Sequence, residues 1–268
     1  MHPTDNGIDL DEAQDLLELA ESAARAAGNE LLRRFGQVEG LDTKSSQTDP
    51  VSDADRASEA LLTRLLLSQR PGDGILGEEG ADRPSSSGIT WVVDPLDGTV
   101  NYLYGLGSWA VSVAADDAEG TLIGVVHDPL TKRAFTGIRG VGAWLDGKPI
   151  RVNDPVPLDR ALLTTGFSYD AGRRVAQAEL ITELLGHMRD IRRIGSAALD
   201  LCFVAAGMAD AYLEEDAKHW DWAAGALIVR AAGGVVSEAT PTGGKTGILA
   251  AGPALHADLT TLLRTLDT

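Results

Sequence analysis

Apolar residues recur with a helical period near the start of the chain, at Ala13, Leu16, Leu17, Ala20, Ala24, Ala27, Leu31 and Phe35. Asp9 with Glu12 has the spacing of a capping box, and Gly36 ends the pattern. Residues 40–50 hold few large apolar side chains and read as a surface loop carrying Lys44. A second helix starts near Ser52 or Asp53, shows Leu61, Leu62, Leu65 and Leu66, and stops before Pro71-Gly72. The pattern then shortens. Ile75-Leu76-Gly77 is an apolar run that enters Glu78-Glu79-Gly80, and residues 81–88 form a Pro/Ser-rich loop. Residues 89–93 are apolar and β-branched, the pattern of a buried strand, which Pro95 should stop at Asp94. Strands are expected at 109–115, 122–127 and 133–136, with a hairpin at Asp146-Gly147.

Pro155 and Pro157 mark a change of style. Beyond them strands are expected at 162–165, 191–194, 211–214, 235–237 and 248–251, and helices at 175–188, 196–206, 222–232 and 259–266. The order predicts an α+β first half with an antiparallel sheet and a mixed α/β second half, divided as 1–155 and 156–268.

Composition narrows the partners. Asp and Glu number 40 against 23 Lys and Arg, a formal net charge of -17. Nucleic acid and anionic membranes would be repelled, and an anionic substrate would need local metal ions. Cys202 is the only cysteine, so no internal disulfide or thiolate metal cluster forms; its apolar surroundings make it a buried small hydrophobe. No signal peptide or membrane-spanning run is visible, so the cytoplasm is the expected compartment.

Candidate chemistry is acidic. Asp94 and Asp97 sit at a strand end, Gly98 lets the backbone approach a ligand, and Thr99 can cap the next helix. Carboxylates there suit a hard divalent cation and free N–H groups suit a phosphate; the competing reading is a turn that caps itself. Glu78 and Glu79 on a turn, Asp53 and Asp55 in a first helical turn, and Asp221 between Trp220 and Trp222 repeat the theme. Singly, each is explained by helix capping or by a solvated charge pair. Together they offer oxygen ligands for two or more Mg²⁺ ions in phosphoryl hydrolysis. His127, His187 and His219 are scattered, and no Gly-rich Walker loop is present.

Glu78-Glu79, the run from Asp94-Pro95-Leu96-Asp97-Gly98-Thr99 to Tyr102, and Trp220-Asp221-Trp222-Ala223-Ala224-Gly225 resemble the signature motifs of the inositol monophosphatase family. The match extends to Lys44-Ser45-Ser46 through Asp55, to Gly195-Ser196-Ala197-Ala198 and to Ala209-Asp210-Ala211-Tyr212. The resemblance implies a layered α-β-α-β-α fold and a Mg²⁺-dependent, lithium-sensitive, homodimeric phosphomonoesterase. It implies that Glu78, Asp94, Asp97, Asp221 and the Leu96 carbonyl bind two or three Mg²⁺ ions. Thr99 and Asp55 would position the attacking water, with Glu79 assisting. The Gly98 and Thr99 N–H groups would hold phosphate, Glu214 and Ala197 would meet the alcohol, and Lys44 would lie in a mobile loop. Trp222, where the family has a smaller apolar residue, and the charged run Glu215-Asp216-Ala217-Lys218 depart from the pattern. The expected substrate is a small phosphorylated polyol, myo-inositol 1-phosphate first, with histidinol phosphate or fructose 1,6-bisphosphate as alternatives. A reading of another class is a protein partner in a transcription complex, with catalysis dispensable.

Overall fold

Asp9 opens α1 (Leu10–Arg34), its carboxylate accepting the Asp11 and Glu12 amides. The buried face of α1 carries Ala13, Leu16, Leu17, Ala20, Ala24, Ala27 and Leu31, the predicted stripe. Ser52 and Asp55 form a reciprocal capping box at the start of α2 (Asp53–Gln69). The computed structural model describes residues 9–37, 42–43, 50–242 and 247–266. Within the expected loop 40–50, β1 (Asp42–Thr43) pairs antiparallel with β2 (Pro50–Val51). Lys44 lies outside the described residues.

The first sheet has eight strands. They are β3 (Gly74–Gly77), β4 (Asp82–Arg83), β5 (Thr90–Asp97), β6 (Ala110–Asp117), β7 (Gly120–Asp128), β8 (Arg133–Ile138), β9 (Gly142–Leu145) and β10 (Lys148–Pro149). Their order is β10-β9-β8-β7-β6-β5-β3-β4. All neighbours are antiparallel except β3 and β5. β4 is a short strand inside the expected Pro/Ser-rich loop.

Contrary to the expectation from Pro95, β5 does not stop at Asp94. It pairs Asp94 with Ser112 and, after a register shift, Asp97 with Ala110. A bulge accommodates the missing N–H of Pro95, so the strand carries both aspartates. The short helix α3 (Thr99–Leu103) follows directly.

The second sheet holds β11 (Leu162–Thr165), β12 (Asp190–Arg192), β13 (Ala211–Glu215), β14 (Val235–Ala239) and β15 (Gly247–Ala251), in the order β12-β11-β13-β15-β14. β11 runs parallel to β12 and β13, and β15 is antiparallel to both its neighbours. Its helices are α4 (Ala171–Leu185), α5 (Ala197–Ala205), α6 (His219–Ala231) and α7 (Pro253–Leu266). Three start earlier than their apolar pattern does. Asp170 caps α4 through the Arg173 amide, Asp221 closes back onto the Lys218 amide at α6, and Pro253 occupies the first position of α7.

The layers follow from burial. α1 and α2 cover one face of the first sheet around Trp91, Val93, Val111 and Trp109. α5 and α6 lie between the sheets, where Val92, Val126 and Phe135 meet Leu201, Ala224 and Ile228, and then Tyr212, Ile248 and Ala250. α4 and α7 cover the outer face of the second sheet through Leu184, Leu255, Leu259 and Leu263. The result is the expected α-β-α-β-α sandwich. Gly124 makes the central packing close: a Cβ there would stand 2.8 Å from the Ala224 carbonyl oxygen of α6. Trp109 is fully buried and meets Tyr102 edge-on at 5.0 Å, so it belongs to the core. Among the described residues no helix is long and apolar enough to cross a membrane.

Candidate active site

Asp55 and Thr99 meet where α2 faces the β5–α3 junction. The Ser52 amide and hydroxyl both donate to Asp55 Oδ2, at 2.9 and 2.6 Å. That leaves Oδ1 to accept from Thr99 Oγ1 at 3.1 Å. The same hydroxyl stands 3.0 Å from the Leu96 carbonyl oxygen. Thr99 was expected to cap α3, but Gly98 is the capping residue, at φ 90° and ψ 34°. A side chain at Gly98 would be strained and would put its Cβ 3.0 Å from the Ser108 carbonyl oxygen and 3.1 Å from that of Gly195. The Thr99 hydroxyl is therefore directed at Asp55 rather than spent on the helix end.

Four more carboxylates converge from three separate stretches of chain. Asp94 and Asp97 come from either side of the bulge in β5, Glu78 from the turn after β3, and Asp221 from the first turn of α6. Burial pushes Asp94 well above the usual carboxylate range, and the charges of Glu78, Asp97 and Asp221 push further. Asp221 is raised by burial and then by Glu78. Asp97 is pushed up to about 6 by burial, against the stabilising bonds it accepts from Ser196 and Ala198. Neighbouring carboxylates that raise each other in this way call for positive charge.

The chemistry of this donor set fits a hard divalent cation, since every side chain offers oxygen. Among the described residues no three His, Cys, Asp or Glu side chains form a ready-made cage. Each aspartate is instead held by hydrogen bonds: Asp94 Oδ1 accepts from the Leu96 amide at 3.0 Å, Asp97 Oδ2 from Ser196 Oγ and the Ala198 amide at 2.5 and 2.8 Å, and Asp221 Oδ2 from the Lys218 amide at 2.6 Å. An open arrangement suits Mg²⁺, which keeps several waters and shares its shell with substrate phosphate.

Two supports were missed by the sequence reading. Glu59 is buried one helical turn beyond Asp55 and accepts the Glu79 and Ala81 amides at 2.8 and 2.9 Å, which holds the turn that presents Glu78. Ser58 donates to the Pro95 carbonyl at 2.8 Å and braces the bulge. The spacing of Asp55 and Glu59 on one helical face was the available signal. Asp53, weighed beside Asp55, points outward to Arg56 at 2.8 Å.

Beside this carboxylate group, Ala197 begins α5 and Glu214 lies near the end of β13. Glu214 Oε2 accepts from the Tyr212 hydroxyl at 3.0 Å, and burial pushes its carboxyl up to about 7. Gly166 is what makes room: a Cβ there would lie 1.9 Å from Glu214 Oε2. The run Glu215-Asp216 is not a solvated tail. Glu215 is buried, pairs with Arg173 at 3.3 Å and accepts the Thr242 amide at 3.0 Å. Asp200 of α5 is also buried, and burial, followed by the charges of Glu214 and Asp97, pushes it up to about 9.

Against this geometry, the family model described as the inositol monophosphatase family matches residues 12–267. The chain belongs to the inositol monophosphatase family. It is a phosphoric monoester hydrolase, of a family whose members are generally metal-dependent. The inositol-1-monophosphatase SuhB of Mycobacterium tuberculosis is 43% identical over 261 residues, covering 91% of this chain and 90% of that protein. The Nus factor SuhB of Xylella fastidiosa is 45% identical over 218 residues, covering 81% and 79%. Among solved structures, the extragenic suppressor protein suhB of Bartonella henselae superposes with a TM-score of 0.86 at 33% identity, covering 93% of this chain and 98% of that one.

Proposed function

We propose that this protein hydrolyses myo-inositol 1-phosphate to inositol and phosphate with Mg²⁺ as its cofactor. The observation that carries the reading is the hydrogen bond from Thr99 to Asp55 at the edge of the carboxylate group. A site that only stores an ion has no use for a hydroxyl oriented by a second carboxylate.

Glu78, Asp94, Asp97, Asp221 and the Leu96 carbonyl would hold two or three Mg²⁺ ions. When bound, these supply positive charge to the phosphate and to the attacking and leaving oxygens. Asp55 fixes the Thr99 hydroxyl as a donor toward itself, which leaves a Thr99 lone pair to accept a hydrogen bond from water. A water so held faces phosphorus with its proton directed to Thr99 Oγ1. Glu79 assists from behind this pair. The Gly98 and Thr99 amides cradle the phosphate, with Gly98 allowing close approach. Glu214 accepts hydrogen bonds from polyol hydroxyls beside Ala197. The same reading has a lithium-sensitive homodimer in the cytoplasm.

Steady-state kcat/KM for inositol 1-phosphate, histidinol phosphate and fructose 1,6-bisphosphate, side by side with Mg²⁺ or excess chelator, tests it. Inositol 1-phosphate should lead and chelation should abolish turnover. Preference for histidinol phosphate would transfer the assignment to that substrate, and full activity in chelator would remove the metal mechanism.

A second reading has one specific support, the likeness to proteins named Nus factor SuhB. In it the chain also serves a transcription complex as a protein partner. Its net charge of -17 favours protein contacts over direct contact with RNA.

A further inference from the structure

A cavity of about 600 Å³ opens where the β6–β7 turn, the β8–β9 turn and one flank of α6 meet. That volume lies in the range of small-molecule sites. His219, Trp222, Leu227 and Arg230 form its α6 wall. Asp221 is two positions from His219, a rotation of about 200° around the helix. The cavity therefore lies on the side of α6 turned away from the acidic cleft.

Its polar groups are fixed in place but incompletely paired. Asp116 Oδ2 is bonded to His219 Nε2 at 2.7 Å, while Asp116 Oδ1 is buried without a partner among the described residues. Arg139 is clamped by Asp117, with Nη1 and Oδ1 at 3.0 Å, yet its buried Nε has no partner among the described residues. Arg230 has no hydrogen-bond or ion-pair partner among the described residues; partial burial pulls its guanidinium below the usual value, and no acidic neighbour offsets this. Arg230 thus lines the cavity as a cation without a counter-ion among the described residues. The apolar part of the wall is Trp222, Leu227 and Val141, the last half-exposed. Trp222 is set edge-on against the His219 ring at 4.5 Å, and its bulk, at a position where the family resemblance leads one to expect a smaller residue, builds the wall.

A buried acceptor without a donor and a cation without an anion are the complement of one kind of ligand. We propose that this cavity binds a small, partly apolar organic anion that also donates a hydrogen bond. The anionic group sits on Arg230, the N–H or O–H donor on Asp116 Oδ1, and the apolar body against Trp222, Leu227 and Val141. The site is independent of which phosphomonoester the acidic cleft hydrolyses.

Isothermal titration of the full chain with 4-aminobenzoate, which carries a carboxylate, an amine donor and an apolar ring, tests the proposal. Binding is expected at millimolar or lower concentration. Benzoate, without the donor, should bind about fivefold more weakly. Arg230→Gln should weaken 4-aminobenzoate about tenfold or more, Arg230→Lys should recover part of the loss, and both variants should melt like the parent because Arg230 bonds to no described residue. Thr99→Ala, in the acidic cleft, should leave the affinity unchanged. Absence of binding at millimolar 4-aminobenzoate, or equal binding by the parent and Arg230→Gln, would overturn it.

Discussion

Thr99 Oγ1 lies 3.1 Å from Asp55 Oδ1, although the two residues are 44 positions apart and belong to different elements. Asp55 is itself oriented by the N-terminus of its own helix, through the Ser52 amide and hydroxyl. A capping box, ordinarily a device for starting a helix, here leaves one carboxylate oxygen aimed across the site. The relationship makes Thr99 the residue whose replacement separates turnover from binding.

Thr99→Ala should lower kcat by about a hundredfold and leave KM within about twofold if, as proposed, the hydroxyl acts on water in the transition state. Steady-state kinetics with saturating Mg²⁺ measures both. A change confined to KM would assign Thr99 to phosphate holding alone.

Glu59 holds the turn of Glu78 through the Glu79 and Ala81 amides. Glu59→Ala should raise the Mg²⁺ concentration for half-maximal activity by about tenfold, as expected when the group behind a ligand is removed. Activity at saturating Mg²⁺ should largely return. An unchanged Mg²⁺ dependence would make Glu59 a folding residue only.

Gly166 has no side chain in the way of Glu214, and an added Cβ would stand 1.9 Å from its carboxylate. Gly166→Ala should displace Glu214 and reduce kcat/KM for inositol 1-phosphate by about tenfold or more, with Glu214→Ala doing the same. An aryl phosphate, with no hydroxyls to accept, should suffer far less. Equal losses on both substrates would place Glu214 among the groups that serve the metal or the fold.

Asp200 is raised to about 9 in the folded chain, by burial first and by Glu214 and Asp97 next. An unfolded aspartate has a pKa of about 3.9. Between these values the folded state keeps a proton that the unfolded state has released, so stability is greatest below the lower value and falls as pH rises toward the higher. The slope is at most about 1.4 kcal/mol per pH unit. Asp200→Asn removes it: the variant should gain in Tm over the parent progressively from about pH 5 to about pH 9. A Tm difference that does not change with pH would show that Asp200 carries no such proton.

Local pattern alone was enough for the long elements. α1 is legible because every residue of its buried stripe is apolar and its Asp9 cap precedes it. The antiparallel strands β6 to β8 appear as apolar runs bounded by turns, and the helices of the second half as longer ones. Motif spacing identified the family, because the acidic signatures hold their order along the whole chain. Helix starts at α4, α6 and α7 were missed by three to six positions because caps and prolines set them, while apolar periodicity begins only where the helix meets the core.

Relations between distant groups lay beyond local pattern. Pro95 is a strand stop in one dimension and a bulge within a strand in three, because β6 supplies the pairing on both sides of it. Glu215 looks like part of a charged run until Arg173 and Thr242 fold over it. The sequence named the carboxylates that converge, since that depends on residue type and order. Their mutual charge repulsion, the aim of Thr99, the room that Gly166 leaves for Glu214 and the cavity behind α6 were decided only by tertiary packing. Each is a distance between chain segments, and distances exist only once the sheets and helices have closed on one another.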